Sequence, residues 1–104
     1  MILFNKKVVE RYGIKEVLVI LCDKKIIGKA LDRETGFSAD PDFYAGEILE
    51  KEQIIEELKK ATIINALGNE SVELLIEEGY TTKNSIKIIG NTPHAQVILF
   101  RNVF

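Results

Sequence analysis

Val17-Leu18-Val19-Ile20-Leu21-Cys22 is an unbroken run of aliphatic and β-branched side chains, bounded by Glu16 and Asp23. A strand with one wet face alternates apolar and polar residues, so a run without alternation reads as an interior strand buried on both faces. Val97 to Phe100 repeats the pattern near the C-terminus. Two such strands require a sheet with cover on both sides, and that requirement organises the rest of the chain.

Upstream, Ile2-Leu3-Phe4 and Val8-Val9 predict a first strand ending near Arg11-Tyr12-Gly13. Downstream, Asp23-Lys24-Lys25 turns the chain into Ile26 to Lys29, and Leu31 to Asp40 carries a hairpin tip at Arg33-Glu34-Thr35-Gly36. Asp40-Pro41-Asp42 breaks the pattern and leaves Phe43-Tyr44-Ala45-Gly46-Glu47 as a loop. Glu50 to Ala61 predicts a helix, with Ile54, Ile55, Leu58 and Ala61 on one face. A second helix is expected from Asn69 as N-cap, with Val72, Leu75 and Ile76 buried and Gly79 as its left-handed stop. Thr62 to Gly68 reads equally as helix extension or short strand. Ile86 to Ile89 and Ala95 to Phe100 form two strands around a Gly90–His94 turn. The expected fold is α+β: a two-layer, mainly antiparallel sheet with two main helices on one face. The other face is left for the remaining chain, a second copy or a partner, with Val103 and Phe104 available to any of these.

The chain has 104 residues, 46% apolar and 29% charged, which fits a single domain spanning 1–104. One cysteine, Cys22, excludes an internal disulfide framework and fits a reducing compartment. The N-terminus is too short in apolar residues for a signal peptide, and no run approaches a membrane span. A cytoplasmic protein with no membrane partner is expected. The net charge of −2 conceals a division: residues 1–33 balance at +4, residues 34–80 at −9 and residues 81–104 at +3. Such asymmetry orients partners, yet it also arises from solvated helix faces.

Ordered as Cys22-Asp23, Ile27-Gly28-Lys29, Phe43-Tyr44-Ala45-Gly46-Glu47, Ala61-Thr62-Ile63 with Asn65, Gly68 and Glu70, Glu77-Glu78-Gly79, and Ile89 to Gln96, the chain resembles domain-of-unknown-function family 424. The resemblance runs from about Val17 to Phe100. It implies an archaeal cytoplasmic protein of α+β architecture, and it implies no activity or cofactor.

His94 is the sole histidine, placed by Pro93 beside an apolar strand. Its unperturbed pKa near ~6.5 suits proton transfer, although a histidine here can equally bond the backbone. Tyr44, Gly46 and Glu47, with Asn65, Pro93, His94 and Gln96, are the candidate ligand-binding residues. The competing account has the aromatics anchoring the loop while Glu47 caps a helix. Cys22 reads as an inert buried thiol. The chain has no Cys-x-x-Cys, no paired histidines and no glycine-rich phosphate loop, so no metal or nucleotide cofactor is expected.

Lys24, Lys25, Lys29 and Arg33, joined by Lys6, Lys7, Arg11 and Lys15 on the neighbouring hairpin, form a candidate basic strip for RNA phosphates. Tyr12, Phe37 or Tyr44 would stack on bases. The plainer account is lysines guarding a sheet edge. The leading expectation is a non-catalytic binding module for RNA or the translation apparatus. The alternatives are a small enzyme pairing His94 with Glu47, and a homodimer or other assembly subunit.

Overall fold

The computed structural model describes residues 1–99; Phe100, expected above to end the last strand, and Val103 and Phe104, named above for the apolar cover, lie outside the described residues. A six-stranded sheet runs in the order β5-β1-β2-β6-β8-β7. Strands β1 (Ile2–Arg11) and β2 (Ile14–Asp23) pair antiparallel along their whole length. The loop between them is Tyr12-Gly13, with φ of 53° and 76°. Positive φ at both central positions is the two-residue hairpin geometry that matches strand twist. For tyrosine that conformation costs about 1–2 kcal/mol.

After a short 3-10 turn at Lys24–Ile26, β3 (Ala30–Asp32) and β4 (Phe37–Ser38) form a separate small hairpin. Asp40-Pro41-Asp42, expected to be a break, instead opens the short helix α1 (Pro41–Tyr44). Asp40 caps it by accepting from the Asp42 N–H at 3.0 Å, and Pro41 sits where its missing N–H costs nothing. β5 (Glu47–Ile48) then pairs with β1 at the sheet edge.

Helix α2 (Lys51–Leu58) starts with a capping box: Glu50 receives the Gln53 backbone and Gln53 Oε1 receives the Glu50 N–H at 3.0 Å. Its apolar face is as expected, with Ile54 and Leu58 fully buried. Thr62 to Gly68, open on periodicity alone, contains β6 (Ile63–Leu67). β6 lies parallel to β2 in the sheet interior, so the sheet is mixed and mainly antiparallel.

Helix α3 (Asn69–Glu77) has Gly68, not Asn69, at its N-cap. Asp23, from the end of β2, takes over the capping bonds: it accepts from the N–H of Glu70 and of Ser71 and from the Ser71 hydroxyl. A cap supplied from 48 positions upstream leaves no local signal. The other end was legible. Gly79 (φ 80°) donates to Ile76 and Tyr80 donates to Leu75, a Schellman stop.

β7 (Lys87–Ile89) and β8 (Thr92–Ile98) close the sheet through Gly90-Asn91. The strand therefore begins earlier than expected. Pro93 and His94 sit on the ladder, with His94 between Leu67 and Lys87, and not in a turn.

Both sheet faces are used. Val19, Leu21, Ile64 and Ala66 pack under Ile54 and Leu58 of α2 and Val72 and Leu75 of α3. On the opposite face, Ile20, Cys22 and Leu67 are covered by Ala39 and Tyr44, with Leu31, Phe37 and Phe43 around them. The α+β class holds. The two-layer expectation needs a third element, because the segment from Ile26 to Tyr44 supplies cover that two helices cannot.

Candidate functional site: the open half of the second sheet face

Among the described residues, the second cover is incomplete. Register places Leu3, Cys22, Leu67, His94 and Lys87 in one cross-sheet row on that face. The next row is Asn5, Ile20, Asn65 and Gln96, and the one beyond is Lys7, Leu18, Ile63 and Ile98. Cover ends at the second row. Gln96 and Lys7 are exposed, Leu18 and Ile63 are partly exposed, and Ile98 is 59% exposed. Phe43 and Tyr44 form the boundary, edge to face at 4.8 Å, with the Lys7 ammonium 5.0 Å above the Phe43 ring.

At that boundary Asn65 Oδ1 accepts from the Tyr44 hydroxyl at 3.1 Å and lies 3.3 Å from His94 Nε2. With Nε2 carrying the proton toward that oxygen, Nδ1 is left as an acceptor. Burial, and then the Lys87 charge on the paired strand, hold the His94 pKa below its ordinary value. The imidazole is therefore neutral near pH 7. Burial also pushes the Tyr44 hydroxyl up to about 12, with Cys22 adding to it, so Tyr44 is a hydrogen-bond donor and no base.

Of the residues marked in the sequence, Tyr44, Asn65, His94 and Gln96 meet on this face. Glu47 does not join them. It lies in β5, four strand spacings or about 19 Å from β8, beside Lys6 and Glu57 on the helix-covered side. The His94–Glu47 acid–base pair is not assembled. Gly46 is explained by packing: a Cβ there would fall 2.0 Å from the Phe4 carbonyl oxygen, so only glycine lets β5 approach β1. Pro93 points to the helix side with Val72 and Ile88, and its carbonyl accepts from Gly68 N–H at 2.9 Å.

The basic strip also divides. Lys24 and Lys25 flank Met1 and Glu70 at the end of β2, whereas Lys7, Arg11 and Lys15 lie toward the hairpin tip at the other end of that strand. Lys6 faces the helices and pairs with Glu57 at 3.3 Å. Lys29 and Arg33 are exposed on and before the β3–β4 hairpin. As for stacking groups, Tyr44 is buried, Phe37 is half-buried and Tyr12 is 98% exposed. Lys7 was visible in the sequence as part of the basic strip, but Leu18, Ile63, Ile98 and Lys87 were not marked; only the strand register brings these residues together.

Among the described residues, no group of three or more His, Cys, Asp or Glu side chains is placed to hold a metal. No helix among them is long and apolar enough to cross a membrane.

The fold and this face define a small α+β protein with a half-open mixed sheet. A family model described as a protein of unknown function (DUF424) matches residues 11–100, and the chain belongs to that family. Its fold is similar to the crystal structure of an uncharacterized conserved protein from Methanopyrus kandleri. The TM-score is 0.81 at 24% identity, covering 99% of this chain and 96% of that one. No curated protein matches.

Proposed function

We propose that this chain is a non-catalytic binding module that takes single-stranded RNA across the open half of its second sheet face. The observation that carries the reading is the abrupt end, among the described residues, of the cover at Phe43 and Tyr44. Beyond it lie a hydrophobic floor of Leu18, Ile63 and Ile98 with the Lys7 cation in the same row and the exposed carboxamide of Gln96 one row nearer the cover; Lys87 stands at the edge strand in the first row. Unpaired bases have apolar faces and hydrogen-bonding edges, and they arrive with phosphates, so a sheet surface of this mixture suits them. Gln96, with His94 Nδ1 behind it, offers donors and acceptors to a base edge.

Catalysis receives less support. The imidazole and hydroxyl are both turned toward Asn65, and the nearest proposed carboxylate partner is across the sheet. The setting we propose is the archaeal cytoplasm, supported by the source of the solved neighbour and by the single buried cysteine. A translation-associated partner stays within this proposal.

The test is fluorescence anisotropy with a labelled single-stranded oligoribonucleotide. Binding is expected to weaken as salt rises, and further with Lys7→Glu plus Lys87→Glu. Lys24→Glu with Lys25→Glu, at the far end of β2, should change it little. No binding at low salt, or loss confined to the Lys24/Lys25 variant, contradicts the reading.

A further inference from the structure

The β1–β2 hairpin projects past the sheet as a two-stranded ribbon. Val17 is the last residue of β2 tied to the neighbouring segment, through Thr62, so from Val9 to Glu16 the two backbones pair with each other alone. Val8, Val9 and Ile14 are exposed on it, and Tyr12 stands at the tip almost wholly in water. Asparagine or glycine would fit the left-handed backbone there more easily. Among the described residues, nothing that Tyr12 touches explains a bulky aromatic in that position. Arg11 and Lys15 flank it on opposite faces of the ribbon, both exposed, with Glu10 across from Lys15.

At the other end of β1, between the β5 edge and helix α3, lies a groove of about 470 Å³. Its floor is Ile2, Leu49, Ile54 and Leu74, and its rim carries Glu70, Glu73 and Glu77. The groove already receives ammonium groups: the Met1 amine sits 2.8 Å from Glu70, and Lys51 Nζ sits 2.9 Å from Glu77. Glu73 has no ion pair among the described residues.

We infer that the ribbon tip of one copy of this chain seats in the groove of a second copy, Tyr12 entering the apolar floor and Lys15 meeting Glu73 on the acidic rim. An aromatic inserted into an apolar pocket whose edge excludes water is the arrangement that concentrates binding energy at protein interfaces. The tip and the groove are chemically complementary and separated by the length of β1, roughly 30 Å. Two copies laid side by side and antiparallel make the contact twice, which closes a two-fold pair. The site is distinct from the open half-face, so the pair and the RNA reading stand or fall separately.

Sedimentation equilibrium across the micromolar range tests the contact. The wild-type chain is expected to form a concentration-dependent dimer that weakens with salt. Tyr12→Ala and Glu73→Arg, both at exposed positions, should each raise the dissociation constant roughly tenfold or more. An equimolar mixture of Lys15→Glu and Glu73→Arg should recover association, because one contact is then native and the other has its charges exchanged. A monomer throughout, an assembly indifferent to both single variants, or a mixture that stays dissociated overturns the inference.

Discussion

Asp23 Oδ1 accepts hydrogen bonds from both the backbone N–H and the hydroxyl of Ser71, each at 2.8 Å, tying the end of β2 to the first turn of α3. The other carboxylate oxygen takes the Glu70 N–H at 3.0 Å. Asp23 is fully buried, so its removal strands donors that water reaches poorly. Asp23→Ala is expected to destabilise the chain by about 2–4 kcal/mol. Ser71→Ala, which removes one bond, should cost about 1 kcal/mol. Urea unfolding followed by circular dichroism gives both values. Equal, negligible costs would contradict this role.

Gly46 separates a structural account from a ligand-binding one. Gly46→Ala places a methyl against the Phe4 carbonyl oxygen and should detach β5 from β1. The expected signs are faster amide exchange at Leu3, Phe4, Glu47 and Ile48 and a lower melting temperature. RNA affinity should be nearly unchanged.

His94 makes stability depend on pH in a stated direction. Burial and Lys87 lower its folded pKa, so between that value and the unfolded value near ~6.5 the unfolded chain binds more protons. Its contribution is complete above pH ~6.5 and is lost as pH falls through the folded pKa. NMR titration of the imidazole should give a midpoint below ~6.5, and Lys87→Ala should move it upward. His94→Gln should flatten the stability profile on the acid side. A midpoint at or above the ordinary value contradicts the environment described.

Cys22 is fully buried, and desolvation with help from Asp23 pushes its thiol up to about 12. The thiolate is the reactive form. Iodoacetamide at pH 8 should leave the native protein unmodified and label it promptly in denaturant. Rapid native labelling would show that the Ile26–Tyr44 cover opens.

Much of the fold is readable from local pattern. Uninterrupted apolar runs mark β2 and the latter part of β8, Ile54 and Leu58 mark the buried face of α2, and Gly79 marks the stop of α3. β6 escaped because an interior parallel strand carries side chains buried on both faces, and Ile63 to Leu67 is too short for its period to exclude a helix. The cap of α3 escaped because Asp23 acts through space. Within the site, Tyr44, Asn65, His94 and Gln96 were visible by residue type. The surface around them depends on which strand lies beside which, and Glu47 was drawn away by an edge pairing that Gly46 permits. Residue chemistry nominated the groups; register decided which of them share a face.

The central claim is most directly tested by amide chemical-shift mapping of the isotopically labelled chain during titration with a single-stranded oligoribonucleotide. The account predicts that shifts concentrate at Lys7, Leu18, Ile63, Asn65, Gln96 and Ile98. Shifts confined to the Lys24–Lys25 end or to the α2–α3 face, or none at saturating RNA, would contradict it.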